Sequence, residues 1–167
     1  MKNDYYIGID PGVAGGLVCM DSGGNIRKKH VMPIIKIGTK NKIDPVALTQ
    51  WLKDCYTEEK IRMVAIEEQR PMHKIGEVAT FGMGRGYGII EGVVAATELP
   101  YSLIRPIDWQ REMFKGLPKG KTKDLSKQVA VQLFPKENFK RTDKCTNLHD
   151  GLTDATLIAE YTRRKIK

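Results

Sequence analysis

The pattern of apolar and polar positions predicts short strands in the first part of the chain. Three strand-like runs occur near the N-terminus, "YYIGID", "LVCMD" and "KKHVMPI", and the turn sequences "PGVAGG" and "SGGN" separate them. We therefore expect an antiparallel meander over residues 5 to 33. Two further apolar runs, "RMVAIEEQ" and "YSLIRP", are predicted to be strands, the first buried and ending in carboxylates.

Helical segments follow the meander and alternate with the later strands. Asp44 is predicted to cap the helix "DPVALTQWLKDCY", with Pro45 at its first position. The segment "FGMGRGYGIIEGVVAATEL" starts glycine-rich and becomes a helix of small residues, "IDWQREMF" is a short helix, and another helix stops before Pro135. We therefore predict one α/β domain over residues 1–167: a mixed five-stranded sheet, antiparallel meander plus parallel strands, with helices on both faces.

The last predicted helix, "LHDGLTDATLIAEY", carries two acidic residues beside an apolar stripe. Its apolar positions recur at three- and four-residue steps: Leu148, Leu152, Ala155, Ile158 and Ala159. Asp150 and Asp154 are four residues apart and project from one face, where like charges destabilise a helix by a few tenths of a kcal/mol. A purely structural helix has no reason to keep such a pair, so something else must stabilise it.

Other carboxylates end the predicted strands. Asp10 ends the first strand, and Glu67 and Glu68 end the fourth, on opposite faces of it. Binding sites of α/β sheets gather at the carboxyl ends of the strands, and the last helix could bring Asp150 and Asp154 there. Four carboxylates in one cleft would repel each other unless divalent cations such as Mg²⁺ lie between them. The alternatives are a turn role for Asp10, solvated carboxylates, and Asp150 as a helix N-cap.

The excess of basic residues indicates a polyanionic partner. The net charge is +8 and the pI is near 9.4, which favours nucleic acid binding. No apolar run approaches the roughly 20 residues that cross a bilayer, and the N-terminus lacks a signal-peptide pattern. Three widely spaced cysteines without a CxxC motif suggest reduced thiols. We expect a cytoplasmic location: a bacterial or phage-infected cytosol, or an organelle matrix.

Basic residues flank the proposed acidic site in sequence. The candidates for DNA binding are Arg70, His73, Lys74, Arg85, Lys119, Lys121, Lys123 and Lys127. Further basic residues follow in the next loop: Lys136, Lys140, Arg141 and Lys144. Some of these could be ordinary solvated side chains. Met72 or Phe81 could wedge between bases or belong to the core.

Four segments resemble the signature motifs of RuvC-like Holliday junction resolvases, which have the RNase H-like fold. They are "GIDPG" at 8–12, "AIEEQ" at 65–69, "LSKQVA" at 125–130 and "HDGLTDATLIA" at 149–159. Their order matches the family over nearly the whole chain. The resemblance is closer to the phage and organellar branches, and "FGMGRGYGIIEG" and "QLFP" are similar to the chloroplast enzyme.

The resemblance implies four metal ligands. Asp10 would be the first metal-bridging aspartate, Glu67 the glutamate of the family's "IEQ", and Asp154 the last acid. In many relatives the partner acid lies three residues before the last one, where this chain has Gly151. Some organellar relatives use a four-residue spacing, which assigns the role to Asp150. The motif "IEEQ" has one more acid than the family's "IEQ", so Glu68 remains an alternative to Glu67 as the second ligand.

The resemblance also implies the reaction. It predicts a Mg²⁺-dependent crossover junction endodeoxyribonuclease of recombination and repair, with two Mg²⁺ (or Mn²⁺) ions and 5′-phosphate and 3′-hydroxyl products. Lys127 would stabilise charge on the scissile phosphate, or lie on a solvated face. His149 would be a proton carrier, a ligand or a cap residue. A homodimer is expected, with the helix around "GIIEGVVAAT" at its interface.

Other functions remain open at this point. A different RNase H-like nuclease would act on RNA–DNA hybrids or other branched DNA. A junction-binding module would shape DNA without cutting it, but it gains nothing from four carboxylates. The sugar-kinase and actin-like ATPases also have a loop like "GIDPG", but they need two such domains, and 167 residues are too few.

Overall fold

A computed structural model describes residues 4–56, 60–71 and 75–166. The described residues form seven strands and five helices. In chain order these are β1 (Asp4–Asp10), β2 (Gly16–Asp21), β3 (Ile26–Val31), β4 (Ile34–Ile37), β5 (Lys40–Ile43), α1 (Pro45–Tyr56), β6 (Lys60–Glu67), α2 (Glu77–Ala96), β7 (Tyr101–Ile104), α3 (Pro106–Met113), α4 (Thr122–Leu133) and α5 (Asp150–Lys165).

Five of the strands form one mixed sheet in the order β3-β2-β1-β6-β7. The pairs β1–β2 and β2–β3 are antiparallel, whereas β6 runs parallel to both β1 and β7. Strand β1 is therefore central, with the meander on one side and the parallel strands on the other. The predicted α/β architecture is confirmed.

Helices cover both faces of this sheet, as predicted. On one face, alternate residues of β1 (Ile7 and Ile9) pack with α1 and α2 in one apolar cluster. On the other face, α5 lies directly on β1 and β2. Gly8 permits this approach, because a Cβ at that position would lie 2.2 Å from the carbonyl oxygen of Ala155. The helices α3 and α4 pack beside α5.

Two stretches of the secondary structure differ from the sequence prediction. The third strand ends at Val31, and residues 34–43 form a separate β4–β5 hairpin that the sequence analysis missed. Alternating isoleucine and lysine in an exposed ribbon is a weak strand signal. Helix α2 begins at Glu77, so the glycine-rich start predicted to precede the helix is itself helical. The predicted cap of α1 is confirmed: Asp44 Oδ1 accepts hydrogen bonds from the backbone N–H groups of residues 46 and 47.

Helix α2 is the longest of the described helices, at 20 residues. No helix within the described ranges is long and apolar enough to cross a bilayer.

Candidate active site

Two of the predicted acidic residues end neighbouring parallel strands. Asp10 is the last residue of β1 and Glu67 the last residue of β6. The residues just before them, Ile9 and Ile66, are directly paired in the β1–β6 register. Parallel pairing places both carboxylates at the same end of the sheet, as expected. Both residues are partly buried.

The N-terminus of α5 brings Asp150 and Asp154 to this end of the sheet. It packs on the β1–β2 turn through glycines. A Cβ on Gly151 would lie 2.5 Å from Ala14 O, and one on Gly16 would lie 2.3 Å from Gly151 O. An acidic side chain at position 151 would therefore collide with backbone atoms. This explains why the second acid of α5 stands at position 150.

The four carboxylates are close enough to interact electrostatically. The pKa of Asp10 is raised well above its usual range, first by burial and then by the charges of Asp154, Glu67 and Asp150. Burial also raises the pKa of Asp154, and the nearby Asp150 adds to the rise. Burial raises the pKa of Glu67 as well, and Asp154 contributes. The cluster therefore favours protons or cations at this end of the sheet.

Asp150 differs from the other three because it has cationic partners. Its Oδ1 lies 2.7 Å from Lys127 Nζ, and its Oδ2 lies 3.0 Å from Lys123 Nζ. Hydrogen bonding to Lys127 leads the effects that hold the pKa of Asp150 below its usual range. Both lysines belong to α4, so this helix supplies positive charge to the site.

One carboxylate oxygen of the cluster has no partner. Asp154 Oδ1 is buried and forms no hydrogen bond with any described residue, and the same is true of Ser126 Oγ on α4. A buried carboxylate oxygen is costly to leave unpaired. A divalent cation would satisfy it, and carboxylate oxygens are the ligands that Mg²⁺ prefers. By this chemical test the donor set fits such an ion.

The side chains, however, do not form a closed coordination site as they lie. Within the described residues, no group of three or more His, Cys, Asp or Glu side chains is arranged to hold a metal ion. Asp150 is paired with lysines, and one oxygen of Glu67 accepts a hydrogen bond from Trp109. Cation binding would require at least the lysine pairs to rearrange.

Glu68 is directed elsewhere. It follows the end of β6, and its carboxylate forms an ion pair of 3.2 Å with the exposed Arg70. Of the two adjacent glutamates, the structure thus places Glu67 beside Asp154. The next residue, Gln69, donates a hydrogen bond of 3.1 Å to the carbonyl oxygen of Pro11 and ties the ends of β6 and β1 together.

His149 occupies the N-cap position of α5. Its Nδ1 accepts a hydrogen bond of 3.3 Å from the backbone N–H of Leu152. Burial, followed by the charge of Arg141, lowers the pKa of this imidazole. This is the cap role that the sequence left as one of three options. Asp150 is the first helical residue rather than the cap.

Two residues of this region were missed by the sequence analysis. Trp109 on α3 donates a hydrogen bond of 2.8 Å from Nε1 to Glu67 Oε1. The buried Ser126 on α4 lies near Asp154, and neither its Oγ nor Asp154 Oδ1 has a hydrogen-bond partner among the described residues. The motif "LSKQVA" contains Ser126 but gave no sign of its burial, and no sequence pattern indicated Trp109.

The predicted DNA-binding residues are placed in several regions. Lys119 and Lys121 are exposed in the segment before α4, and Arg85 is exposed on α2. Lys123 and Lys127 lie at Asp150, and Arg70 lies beside Glu68. His73 and Lys74, together with Met72, are outside the described residues. Of the two proposed wedge residues, Phe81 is 74% exposed and therefore not in the core.

Comparisons with known proteins were made by sequence and by structure. No protein-family model and no curated protein matches the chain. Among solved structures, it is similar to Thermus thermophilus RuvC in complex with a Holliday junction substrate (TM-score 0.56, 14% identity, 96% of this chain and 94% of that chain). It is also similar to a second Thermus thermophilus RuvC structure (TM-score 0.56, 17% identity, 96% of this chain and 95% of that chain). A third similar structure is the yeast mitochondrial Holliday junction resolvase Ydc2 (TM-score 0.55, 16% identity, 95% of this chain and 77% of that chain). The expected RuvC-type, RNase H-like fold is thereby confirmed.

Proposed function

We propose that residues 1–167 form a single nuclease domain that resolves four-way DNA junctions. The observation that carries this proposal is the convergence of Asp10, Glu67, Asp150 and Asp154 at one end of the sheet. Mutually repelling, partly buried carboxylates have no structural benefit on their own. Solved structures of this fold include RuvC in complex with a Holliday junction substrate and a mitochondrial Holliday junction resolvase. The proposed role is in DNA recombination and repair.

In this proposal the four carboxylates hold two Mg²⁺ ions, for which Mn²⁺ substitutes. When bound, the ions supply an activated water for in-line attack on a phosphodiester and charge stabilisation for the leaving 3′ oxygen. The products are a 5′-phosphate and a 3′-hydroxyl. Asp10 and Glu67 hold fixed positions at the strand ends. Asp154 contributes the oxygen that otherwise lacks a partner.

Positive charge for the DNA comes from α4 and the segment before it. Lys127 lies next to Asp150 and is placed to offset charge on the scissile phosphate. Lys123 lies on the other side of the same carboxylate and is more exposed. Lys119 and Lys121 add exposed positive charge in the segment just before α4. Such contacts make binding steeply dependent on salt, because each phosphate contact releases counterions.

We also propose a homodimer through α2. Only Ile90 and Val94 are buried among the twenty residues of this helix. Near its N-terminus, Val78 and Phe81 are 72% and 74% exposed. Exposed apolar side chains on a glycine-rich helix favour a close contact with a second protein surface. A two-fold symmetric dimer would direct two sites to opposing strands of the junction.

The test compares a labelled four-way junction with a linear duplex of the same sequence. Each is incubated with Mg²⁺ or EDTA and with the wild type, Asp10→Asn or Asp54→Asn. Asp54 is a matched control because it is a carboxylate paired with Lys28, away from the cluster. Paired symmetric nicks in the junction alone, lost with EDTA and in Asp10→Asn but kept in Asp54→Asn, support the proposal.

Other results would assign a different function. Preferential cleavage of an RNA–DNA hybrid, or equal cleavage of flaps and linear duplex, would keep the nuclease and reject the resolvase. Tight junction binding without cleavage at any Mg²⁺ concentration would indicate a binding module.

A further inference from the structure

We infer that Trp109 is a positioning residue that orients Glu67 for cation binding. This inference rests on the proposed function, because it concerns the same carboxylate cluster. Trp109 Nε1 donates a hydrogen bond of 2.8 Å to Glu67 Oε1. The contact joins residues 42 positions apart. It holds one oxygen of the Glu67 carboxylate in place.

The backbone path explains how the indole reaches Glu67. Strand β7 runs parallel to β6 with Ile104 paired with Glu67, and Pro106 begins α3 directly afterwards. Helix α3 therefore starts at the same end of the sheet as the carboxylates. Trp109, in the first turns of this helix, lies close to the end of β6.

The indole is held rigidly. Trp109 is only 1% exposed and belongs to the apolar cluster under α5. Its ring packs edge-on against Phe114, with the ring centroids 5.6 Å apart. A buried, close-packed ring stays in one rotamer, so the N–H direction is fixed. The hydrogen bond then specifies the orientation of Glu67 and leaves its other oxygen available.

A neutral donor is well suited to this task. The indole has one N–H and no acceptor, so it cannot compete for the cation as a ligand, and it adds no positive charge that would repel the ion. Asp150 is held differently, by two lysines whose charge opposes cation binding. The adjacent Glu68 has no such fixed partner and pairs with the exposed Arg70. Trp109 therefore also explains why Glu67 is the glutamate that serves the site.

The first test is Mg²⁺ binding by calorimetry to the full chain without DNA. Trp109→Phe keeps the aromatic ring and removes the N–H donor. We expect its Mg²⁺ affinity to fall about 10-fold or more, the usual effect of losing a partner that orients a ligand. Trp51→Phe is the matched control, because Trp51 is 5% exposed and its Nε1 has no hydrogen-bond partner among the described residues. We expect its Mg²⁺ affinity to equal that of the wild type.

A second measurement keeps Trp109 in place, so it does not depend on the folding of Trp109→Phe. The chain has two tryptophans, and ¹⁵N-labelled protein gives two indole N–H signals that Trp51→Phe assigns. We expect Mg²⁺ to shift the Trp109 signal and to leave the Trp51 signal in place. Glu67→Gln alone should also shift the Trp109 signal, which confirms the hydrogen bond itself. The shift caused by Mg²⁺ is the result that a merely structural hydrogen bond does not predict.

Two results would overturn the inference while the proposed function stands. One is Trp109→Phe binding Mg²⁺ as tightly as the wild type. The other is an unchanged Trp109 indole signal at Mg²⁺ concentrations that saturate the wild type. If the wild type itself binds no divalent cation, the proposed function fails, and the inference fails with it. The wild-type titration therefore separates the two failures.

Discussion

Replacing Gly16 by alanine should separate the acidic helix from the strand that carries Asp10. Gly16 pairs with Asp10 in the β1–β2 register and lies under the first turn of α5. A Cβ there would lie 2.3 Å from Gly151 O, 2.6 Å from Gly151 C and 2.9 Å from Leu152 N. All three are backbone atoms, so no side-chain rotation relieves the clash. The N-terminus of α5 must move by about 1 Å to restore ordinary contact.

The expected magnitude follows from this displacement. Forcing one extra methyl group into a close-packed interior costs about 1–3 kcal/mol, and contact with rigid backbone favours the upper part of that range. For a chain of this size, 1 kcal/mol lowers the melting temperature by roughly 2–4 °C. We therefore expect Gly16→Ala to melt about 5–10 °C below the wild type. A shift of about 1 Å between catalytic groups can cost on the order of 100-fold in rate.

The assay measures thermal unfolding by circular dichroism and junction cleavage with Mg²⁺, the latter well below either melting temperature. Gly76→Ala is the control, because a Cβ there meets nothing within 4 Å, and the backbone of this helix N-cap has a negative φ. It should change stability by less than about 1 kcal/mol and leave cleavage intact. A Gly16→Ala protein that melts and cleaves like Gly76→Ala would refute the reasoning that close β2–α5 packing sets the site.

Further predictions concern charge and assembly. Asp10→Asn should raise the melting temperature without metal and abolish the rise that Mg²⁺ causes, since it removes a buried, repelled charge. Burial and like charges raise the pKa values of Asp10 and Asp154, so the stability of the metal-free protein should fall as pH rises from about 4 through these raised pKa values. Melting curves from pH 4 to 8 check this sign, and Asp10→Asn should show a smaller decline. Lys127→Met should increase Mg²⁺ affinity, because it frees one oxygen of Asp150, yet lower the cleavage rate about 10-fold or more; a variant that loses Mg²⁺ affinity would contradict this. Phe81→Asp should convert a dimer to a monomer in size-exclusion chromatography with light scattering and leave the monomer folded, since this side chain is 74% exposed; a Phe81→Asp protein that stays dimeric would exclude this part of α2 from the interface.

Several features of the site could be predicted from the sequence because local signals encode them. Strand propensity and the turn after Asp10 placed this residue at a strand end, and the same logic placed Glu67. The 3.6-residue periodicity of the last helix put Asp150 and Asp154 on one face. The Asp44–Pro45 cap was read correctly from two adjacent residues. Each of these signals acts within about one turn or one strand.

The partners of those carboxylates were decided only by the tertiary structure. The sequence favoured Glu67 over Glu68 only through the motif resemblance. The packing of α3 against the end of β6 gave Glu67 the indole of Trp109 as a partner. The glycine-rich start of α2 is helical although glycine disfavours a helix by about 1 kcal/mol relative to alanine, so local propensity did not decide the conformation of this segment.

The sequence by itself determined most of the elements and the carboxylates that end β1 and β6, because backbone preferences and hydrophobic periodicity are short-range. Only the folded chain decided that Gly16 and Gly151 meet closely enough to bring α5 onto the sheet, and that two lysines of α4 pair with Asp150. Such contacts join residues far apart in the chain. They depend on the shapes of packed surfaces, which no spacing along the sequence records.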